Sequence, residues 1–301
     1  MGSNFESKKE DMKTHLRTFN AQHSTFNIQY RKLCFDLCNG CWVLDVRCWM
    51  LIFLLSGFGR MGAAEPIRAL LVAGGCCHDY GAQQKIISEG ISARANVTWT
   101  IRFDPQTGKD HAASVYTNAD WAKGFDVVVH DDCYGDVTNT TFVERIAKPH
   151  QEGVPAVVLH CAIHSYRNSP SDEWRKVLGV SSFRHQPRRD FEVVTINPNH
   201  PVMKGFPTRW MDASDELYEI VKVWPGCVPL AKGVTPGKDD DLHPSIWVHT
   251  NGKVRTFGTT LGHGNETVSK PEYLELITRG LLWACDKLDE KGEPKPGYGK
   301  K

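Results

Sequence analysis

Ile67-Arg68-Ala69-Leu70-Leu71-Val72-Ala73-Gly74-Gly75 (IRALLVAGG, residues 67–75) is a short apolar run closed by two glycines. Its length suits a strand, and its nearly unbroken apolar character suits one buried on both faces, as in the middle of a parallel sheet. VTWTIRF (97–103), FDVVVHDD (125–132) and PAVVLHC (155–161) repeat the type at intervals of about 25–30 residues. Between these runs lie segments of helix length, 82–94, 112–123 and 139–152, the last with Phe142, Ile146 and Ala147 at helical spacing. Strand and helix in alternation predict an α/β fold with a doubly wound, mainly parallel sheet.

FEVVTIN (191–197), CVPLAKG (227–233), SIWVHT (245–250) and KVRTFGTTLG (253–262) continue the series. Asn251-Gly252 is a hairpin signal between the last two, so an antiparallel extension is expected near the C-terminus. EYLELITRGLLWACDKL (272–288) places Leu274, Ile277, Leu281 and Leu282 on one stripe of a closing helix. Residues 289–301, DEKGEPKPGYGKK, have little apolar surface to bury and are expected to be disordered, which sets the domain at 65–288.

Residues 1–64 read as an N-terminal extension. WMLIFLLSGF (49–58) is an apolar run of about ten residues, within the roughly 7–15 of a signal-peptide core and short of the ~20 of a membrane span. Arg47 precedes it, and Gly62-Ala63-Ala64 offers small residues for cleavage before Glu65. The expectation is a secreted or periplasmic protein without a stable membrane span in the mature chain. The long segment ahead of the apolar core implies a start site assigned too far upstream, or else a buried or membrane-surface helix retained in the mature chain; a cytoplasmic location is the alternative to export. Cys34, Cys38 and Cys41 have the C-x3-C-x2-C spacing of an iron–sulfur site, but they lie in the segment read as removed, and no cluster is expected.

Lys and Arg total 36 against 35 Asp and Glu, a formal charge of +1 without a basic block, which argues against a nucleic-acid partner and for a small ligand. The ten cysteines form neither the dense framework of a small secreted module nor a paired zinc ribbon. Nothing in the composition sets the oligomeric state.

In open parallel sheets the ligand crevice lies outside the carboxyl ends of the strands. Cys76, Cys77, His78, Asp79 and Tyr80 follow the first strand, His130, Asp131, Asp132, Cys133 and Tyr134 the third, His160, Cys161 and His164 the fourth, and His263 the last. One histidine after a strand is usually structural; histidines after four strands point to a site.

In this order, GGCCHDY, HDDCYGD, AVVLHCAIHSYR, DASDELYEI, HPSIWVHTNGKVRTFGTTLGH and LLWACDKL resemble the ThuA-like (trehalose utilisation) family over about residues 66–288. The resemblance implies the class I glutamine amidotransferase-like variant of the flavodoxin-type fold and a role in disaccharide or keto-sugar catabolism. Amidotransferase relatives carry their nucleophile in a Gly-x-Cys-x-Gly elbow; here the stretch is Leu159-His160-Cys161-Ala162-Ile163, and the implied register puts His160 at the elbow. Cys161, one residue along, can point into the core. A Cys161-dependent amidotransferase or peptidase stays open as an alternative, as does a carbohydrate-binding protein without turnover.

A divalent metal such as zinc is the other chemistry the histidines suggest. If the turn after the fourth strand opens a helix, His160 and His164 share one face at i, i+4, and His78, His130 or His263, or a carboxylate such as Asp131 or Glu216, would complete the site, with His160, His164 and His263 taken as the set. The metal-free alternative has one histidine capping the helix and the other binding substrate. In the family the Asp-Glu-Leu-Tyr segment folds over the pocket, which implies Glu216 as general acid/base beside His160 and His164, and Tyr218 as a lining residue. His78, Asp79, Tyr80, His130, Asp131 and His263 are expected to contact a carbohydrate, and Trp247 to stack on it. The expected reaction is hydrolysis, or an elimination or isomerisation, with these groups moving protons.

Overall fold

The computed structural model describes residues 64–235 and 237–300, leaving aside the side chains of 238–242. The apolar run 49–58 and the Cys34, Cys38 and Cys41 motif lie outside the described residues. No helix among the described residues is long and apolar enough to cross a membrane.

Strands β1 (Ile67–Gly75), β2 (Val97–Asp104), β3 (Val127–Cys133) and β4 (Ala156–Leu159) alternate with helices α1 (Tyr80–Ser92) and α2 (Thr140–Gln151). Helix α3 (Glu173–Leu178) follows, then β5 (Val180–His185), β6 (Arg189–Thr195), β7 (Arg209–Asp215), β8 (Tyr218–Val223), β9 (Cys227–Thr235), β10 (Lys238–Asn251) and β11 (Val254–Thr259). Helices α4 (Asn265–Val268) and α5 (Pro271–Ala284) close the chain. The main sheet runs β2-β1-β3-β4-β11-β10-β9-β6-β7, and β5 pairs with β8 in a separate ribbon. Pairing is parallel from β2 through β11 and antiparallel from β11 to β7. The parallel part has the 2-1-3-4 order of flavodoxin-like sheets, with its topological switch between β1 and β3. The expected doubly wound sheet with an antiparallel extension is present, including the hairpin at Asn251-Gly252 that joins β10 to β11.

The sheet is central because its strands alternate apolar residues to two faces. Ala69, Leu71, Val127 and Val129 pack with α1 and α5 residues on one side, whereas Leu70, Val72 and Val128 pack with α2 and α3 residues on the other. Helix starts are set locally. Asp79 Oδ1 accepts from Ala82 N at 3.1 Å to cap α1, and Asn139 Oδ1 accepts from Phe142 N at 3.0 Å to cap α2.

Two expectations need correction. Segment 112–123 contains only a 3-10 turn, Ser114–Thr117. The Asn118 carboxamide oxygen accepts from Asp120 N at 2.9 Å, a local bond that competes with helix, while buried Tyr116 and Trp121 anchor the segment to the sheet. Residues 289–300, expected to be disordered, lie along the domain: Tyr298 O accepts from Asn96 N, Gly297 O from Asn96 Nδ2, each at 3.0 Å, and Leu288 bridges to Pro294. Backbone hydrogen bonds to the domain, which composition does not register, hold this polar stretch.

Candidate functional site

Three turns at the carboxyl ends of parallel strands each bring one imidazole to the same point. His78 lies between β1 and α1, His160 directly after β4, and His263 between β11 and α4. Their ring centroids are 4.7 Å apart for His78 and His160, 4.6 Å for His78 and His263, and 5.5 Å for His160 and His263. One ligand atom from each lies within 4.8 Å of the others, a set able to hold a metal ion. His160 occupies the sharp strand-to-turn elbow with φ +42°, a left-handed backbone that a non-glycine residue adopts at a cost and that is over-represented at functional sites.

The ring orientations are set by backbone carbonyls. His160 Nδ1 donates to Thr260 O at 2.6 Å and His78 Nδ1 to His263 O at 3.2 Å. Each bond places a proton on Nδ1, so that in the neutral ring the lone pair is on Nε2, the role that a carbonyl plays behind a metal-binding histidine. His160 Nε2 is buried without a hydrogen-bond partner. Gln83 Nε2 donates to the carbonyls of Gly262 and His263, both at 3.2 Å, and steadies the third turn.

Glu216, between β7 and β8, closes the group from above. Its Oε2 is 3.6 Å from His160 Nε2 and 3.6 Å from His185 Nε2, and its Oε1 is 3.3 Å from His263 Nδ1. Asp215 locks that turn in place: Oδ1 accepts from Glu216 N at 2.6 Å, and Oδ2 accepts from Gly262 N at 2.8 Å and His263 N at 2.9 Å. Burial alone would raise Glu216, but His160 and His263 hold its carboxyl well below the usual range. Burial works against a charged His160, yet Glu216 and Asp215 outweigh it and raise its pKa. Burial and the neighbouring His160 and His263 push His78 down to about 2, so that ring is neutral. Asp131 ends buried on the same side, with Oδ2 unpartnered, and burial together with Asp132 pushes it up to about 8. Two acidic side chains, Asp215 and Glu216, thus stand against a cluster of three imidazoles, a donor set of the kind that holds a cation.

Several expected site residues stand elsewhere. The i, i+4 pair does not form: residues 160–163 make a 3-10 turn, and His164 turns away to Ser182 Oγ at 2.9 Å and stacks on Tyr218 at 3.9 Å between centroids. His78 takes the place expected for His164 in the three-imidazole set. His130 lies inside β3 rather than after it, and alternation sends its side chain to the opposite face, against Tyr116 Oη at 3.0 Å and His150 Nε2 at 3.1 Å. Trp247 is core: its indole donates to Leu178 O at 2.7 Å and lies over Gly258. Asp79 is the α1 cap, and its Oδ2 accepts from Asn265 Nδ2 at 2.9 Å. Tyr80 is buried with a ring 5.6 Å from that of His78, and Tyr218 is buried 5.0 Å from His160, both with unpartnered hydroxyls. Cys161 is bonded to Cys133, so its sulfur is not a free nucleophile in this state.

The sequence reading missed Asp215, Gln83 and His185. Asp215 stood next to an expected residue, but its role is to clamp backbone amides of a turn 47 positions away in sequence, for which no local pattern exists. The mouth of the site is an open cleft of about 420 Å³ bordered by Cys77, His78, Asp79, Arg188, His263 and Glu266. A larger hollow of about 980 Å³ lies at the opposite, amino ends of the strands, and no histidine lines it.

A family model described as "Trehalose utilisation" matches residues 69–284. Among solved structures, a ThuA-like protein from Parabacteroides merdae is 18% identical, with 78% of this chain and 97% of that chain covered at a TM-score of 0.57. A ThuA-like protein from Bacteroides uniformis is 16% identical, with 79% and 99% covered and a TM-score of 0.57. Comparison with curated proteins gave no match.

Proposed function

Since the chain belongs to the ThuA (trehalose utilisation) family, we propose that it acts on a carbohydrate, a disaccharide-derived or keto-sugar, with a divalent metal such as zinc held by His78, His160 and His263. The observation that carries this reading is the Nε2 of His160, buried without a hydrogen bond and with Glu216 Oε2 at 3.6 Å, set among two further imidazoles while a carbonyl faces its Nδ1. Three imidazole nitrogens are a common set for zinc, and the ion would polarise a sugar carbonyl or hydroxyl.

The protein's own groups then have separable tasks. Glu216, kept ionised, accepts a proton from substrate or water and passes it on, and Asp215 holds it in reach. Arg188 and Asn265 at the cleft rim suit hydroxyl and carbonyl oxygens of a sugar. Hydrolysis, elimination and isomerisation all use this arrangement. Export belongs to the same reading, supported by the signal-like run 49–58 and by two disulfides, which persist in oxidising compartments.

The test is metal analysis by plasma mass spectrometry on wild-type protein and on the His78→Ala/His160→Ala variant, with both assayed against a panel of disaccharides and keto-sugars. Near-stoichiometric metal in the wild type, lost together with turnover in the variant, is the expected outcome. Metal-free wild-type protein that still converts a sugar would remove the metal and leave Glu216 and the histidines as proton carriers. A sugar that raises the melting temperature and is recovered intact would make this a binding protein.

A further inference from the structure

Beside the histidines lies a second cluster that the proposed reaction does not use. Cys76 is bonded to Cys77 in the turn after β1, and Cys133, at the end of β3, is bonded to Cys161 in the turn after β4. The two bonds touch: Cys76 Sγ is 3.8 Å from Cys133 Sγ, and the sulfurs of Cys76, Cys77 and Cys133 all lie within 4.8 Å of one another. Their access differs. Cys77 is exposed and borders the open cleft, whereas Cys76, Cys133 and Cys161 are buried with Ala73 and Tyr80. An exposed bond in contact with a buried one is the arrangement by which electrons pass inward through sulfur exchange.

We infer that these four cysteines form a thiol–disulfide relay: an external dithiol reacts at Cys77, and its two electrons reduce the buried Cys133–Cys161 bond through Cys76. In the first step a thiolate of the dithiol attacks Cys77 Sγ, the Cys76–Cys77 bond breaks, and Cys76 leaves as thiolate. Cys76 then attacks Cys133 Sγ; a Cys76–Cys133 bond forms and Cys161 leaves, taking up a proton. The second thiol of the reagent resolves the mixed disulfide on Cys77 and departs as a cyclic or linked disulfide. Cys77 finally attacks Cys76, which restores the Cys76–Cys77 bond and releases Cys133, which is protonated in turn. The net change is one dithiol oxidised and one buried disulfide reduced, with two electrons and two protons transferred.

The relay couples to the histidine site through the chain itself. Cys77 immediately precedes His78, and Cys161 immediately follows His160. The buried bond also ties the elbow after β4 to the end of β3, so its reduction frees the turn that presents His160. The sulfur exchange requires neither the metal nor the sugar.

Cys76, Cys133 and Cys161 fall in separate tryptic peptides, 69–85, 124–145 and 146–167, which makes each bond readable by mass spectrometry. The full chain would be exposed to dithiothreitol at native pH, quenched in acid at intervals, alkylated and mapped, beside Cys77→Ser and Cys76→Ser/Cys77→Ser variants. The expected wild-type result is a transient link between peptides 69–85 and 124–145 that precedes alkylation of Cys161. Cys77→Ser should accumulate that link, because its resolving thiol is gone. The double variant should lose its Cys133–Cys161 bond at least about tenfold more slowly, a barrier increase of roughly 1.4 kcal/mol. Absence of the link in the wild type, or equal reduction rates in wild type and folded double variant, would overturn the relay. The wild-type link needs no substitution and decides the matter even where a variant fails to fold.

Discussion

At the scale of single residues, the site depends on which proton sits where. His160 is useful because Thr260 O holds its Nδ1 proton, and a carbonyl cannot be removed by substitution. Asp215 is the accessible handle on the same geometry. Replacing it by Ala leaves the amides of Glu216, Gly262 and His263 without their acceptor, at about 1–3 kcal/mol for each that water does not reach. A urea titration of Asp215→Ala should therefore show a loss of at least about 2 kcal/mol, and an unchanged midpoint would mean that the turn is held by other contacts. Asp131 gives a pH signature. Burial and Asp132 keep it protonated in the folded chain up to about 8, against an ordinary value of 3.8. The folded state holds a proton that the unfolded state has released, so between those values stability falls as pH rises, by at most about 1.4 kcal/mol per unit for this one group. Asp131→Asn, which mimics the protonated acid, should flatten the decline in melting temperature between about pH 5 and pH 8. Parallel curves for the two proteins would show Asp131 already ionised.

At the scale of elements, short turns decide what each strand end presents. The turn after β4 tightens to a 3-10 turn over His160–Ile163, and that single choice separates His160 from His164. An α-helix would have stacked the two rings; the tighter turn sends His164 to Ser182 and leaves the partnership to His78. The antiparallel part shows a comparable constraint in β11. Gly258 faces the indole of Trp247 on β10, and a Cβ there would collide with the ring. Gly258→Ala should destabilise by roughly 1–3 kcal/mol through overpacking, measured as a lower urea midpoint, with metal content unaffected. A stability equal to wild type would mean that Trp247 shifts freely, against its indole hydrogen bond to Leu178 O.

At the scale of the whole molecule, the described residues place their chemistry at one edge of a sheet covered on both faces, and the C-terminal stretch braces the far edge. Truncation after Leu288 removes the carbonyl partners of Asn96 at Tyr298 and Gly297 and the bond from Lys295 N to Lys287 O. At roughly 0.5–1.5 kcal/mol net per hydrogen bond, the shortened chain should lose about 2 kcal/mol by chemical denaturation. No loss would show that the tail contributes nothing to the fold. Much of the architecture was legible in the chain, because four short apolar runs spaced for intervening helices leave few topologies other than a parallel doubly wound sheet. His160, Glu216 and His263 were legible for the same reason: they follow strands or lie in a motif, and strand ends converge. Sequence could not assign faces or partners. His130 and Trp247 looked equivalent to site residues until alternation and packing put both in the core on the other side. His78 was legible as a strand-end histidine, but its pairing with His160, 82 positions away, was not, and Asp215 entered the site through a contact with Gly262 47 positions away. Hydrophobic periodicity is a local property and determines strands and helices; hydrogen-bond pairing across the sheet edge is not local, and only the folded chain decides which imidazoles meet.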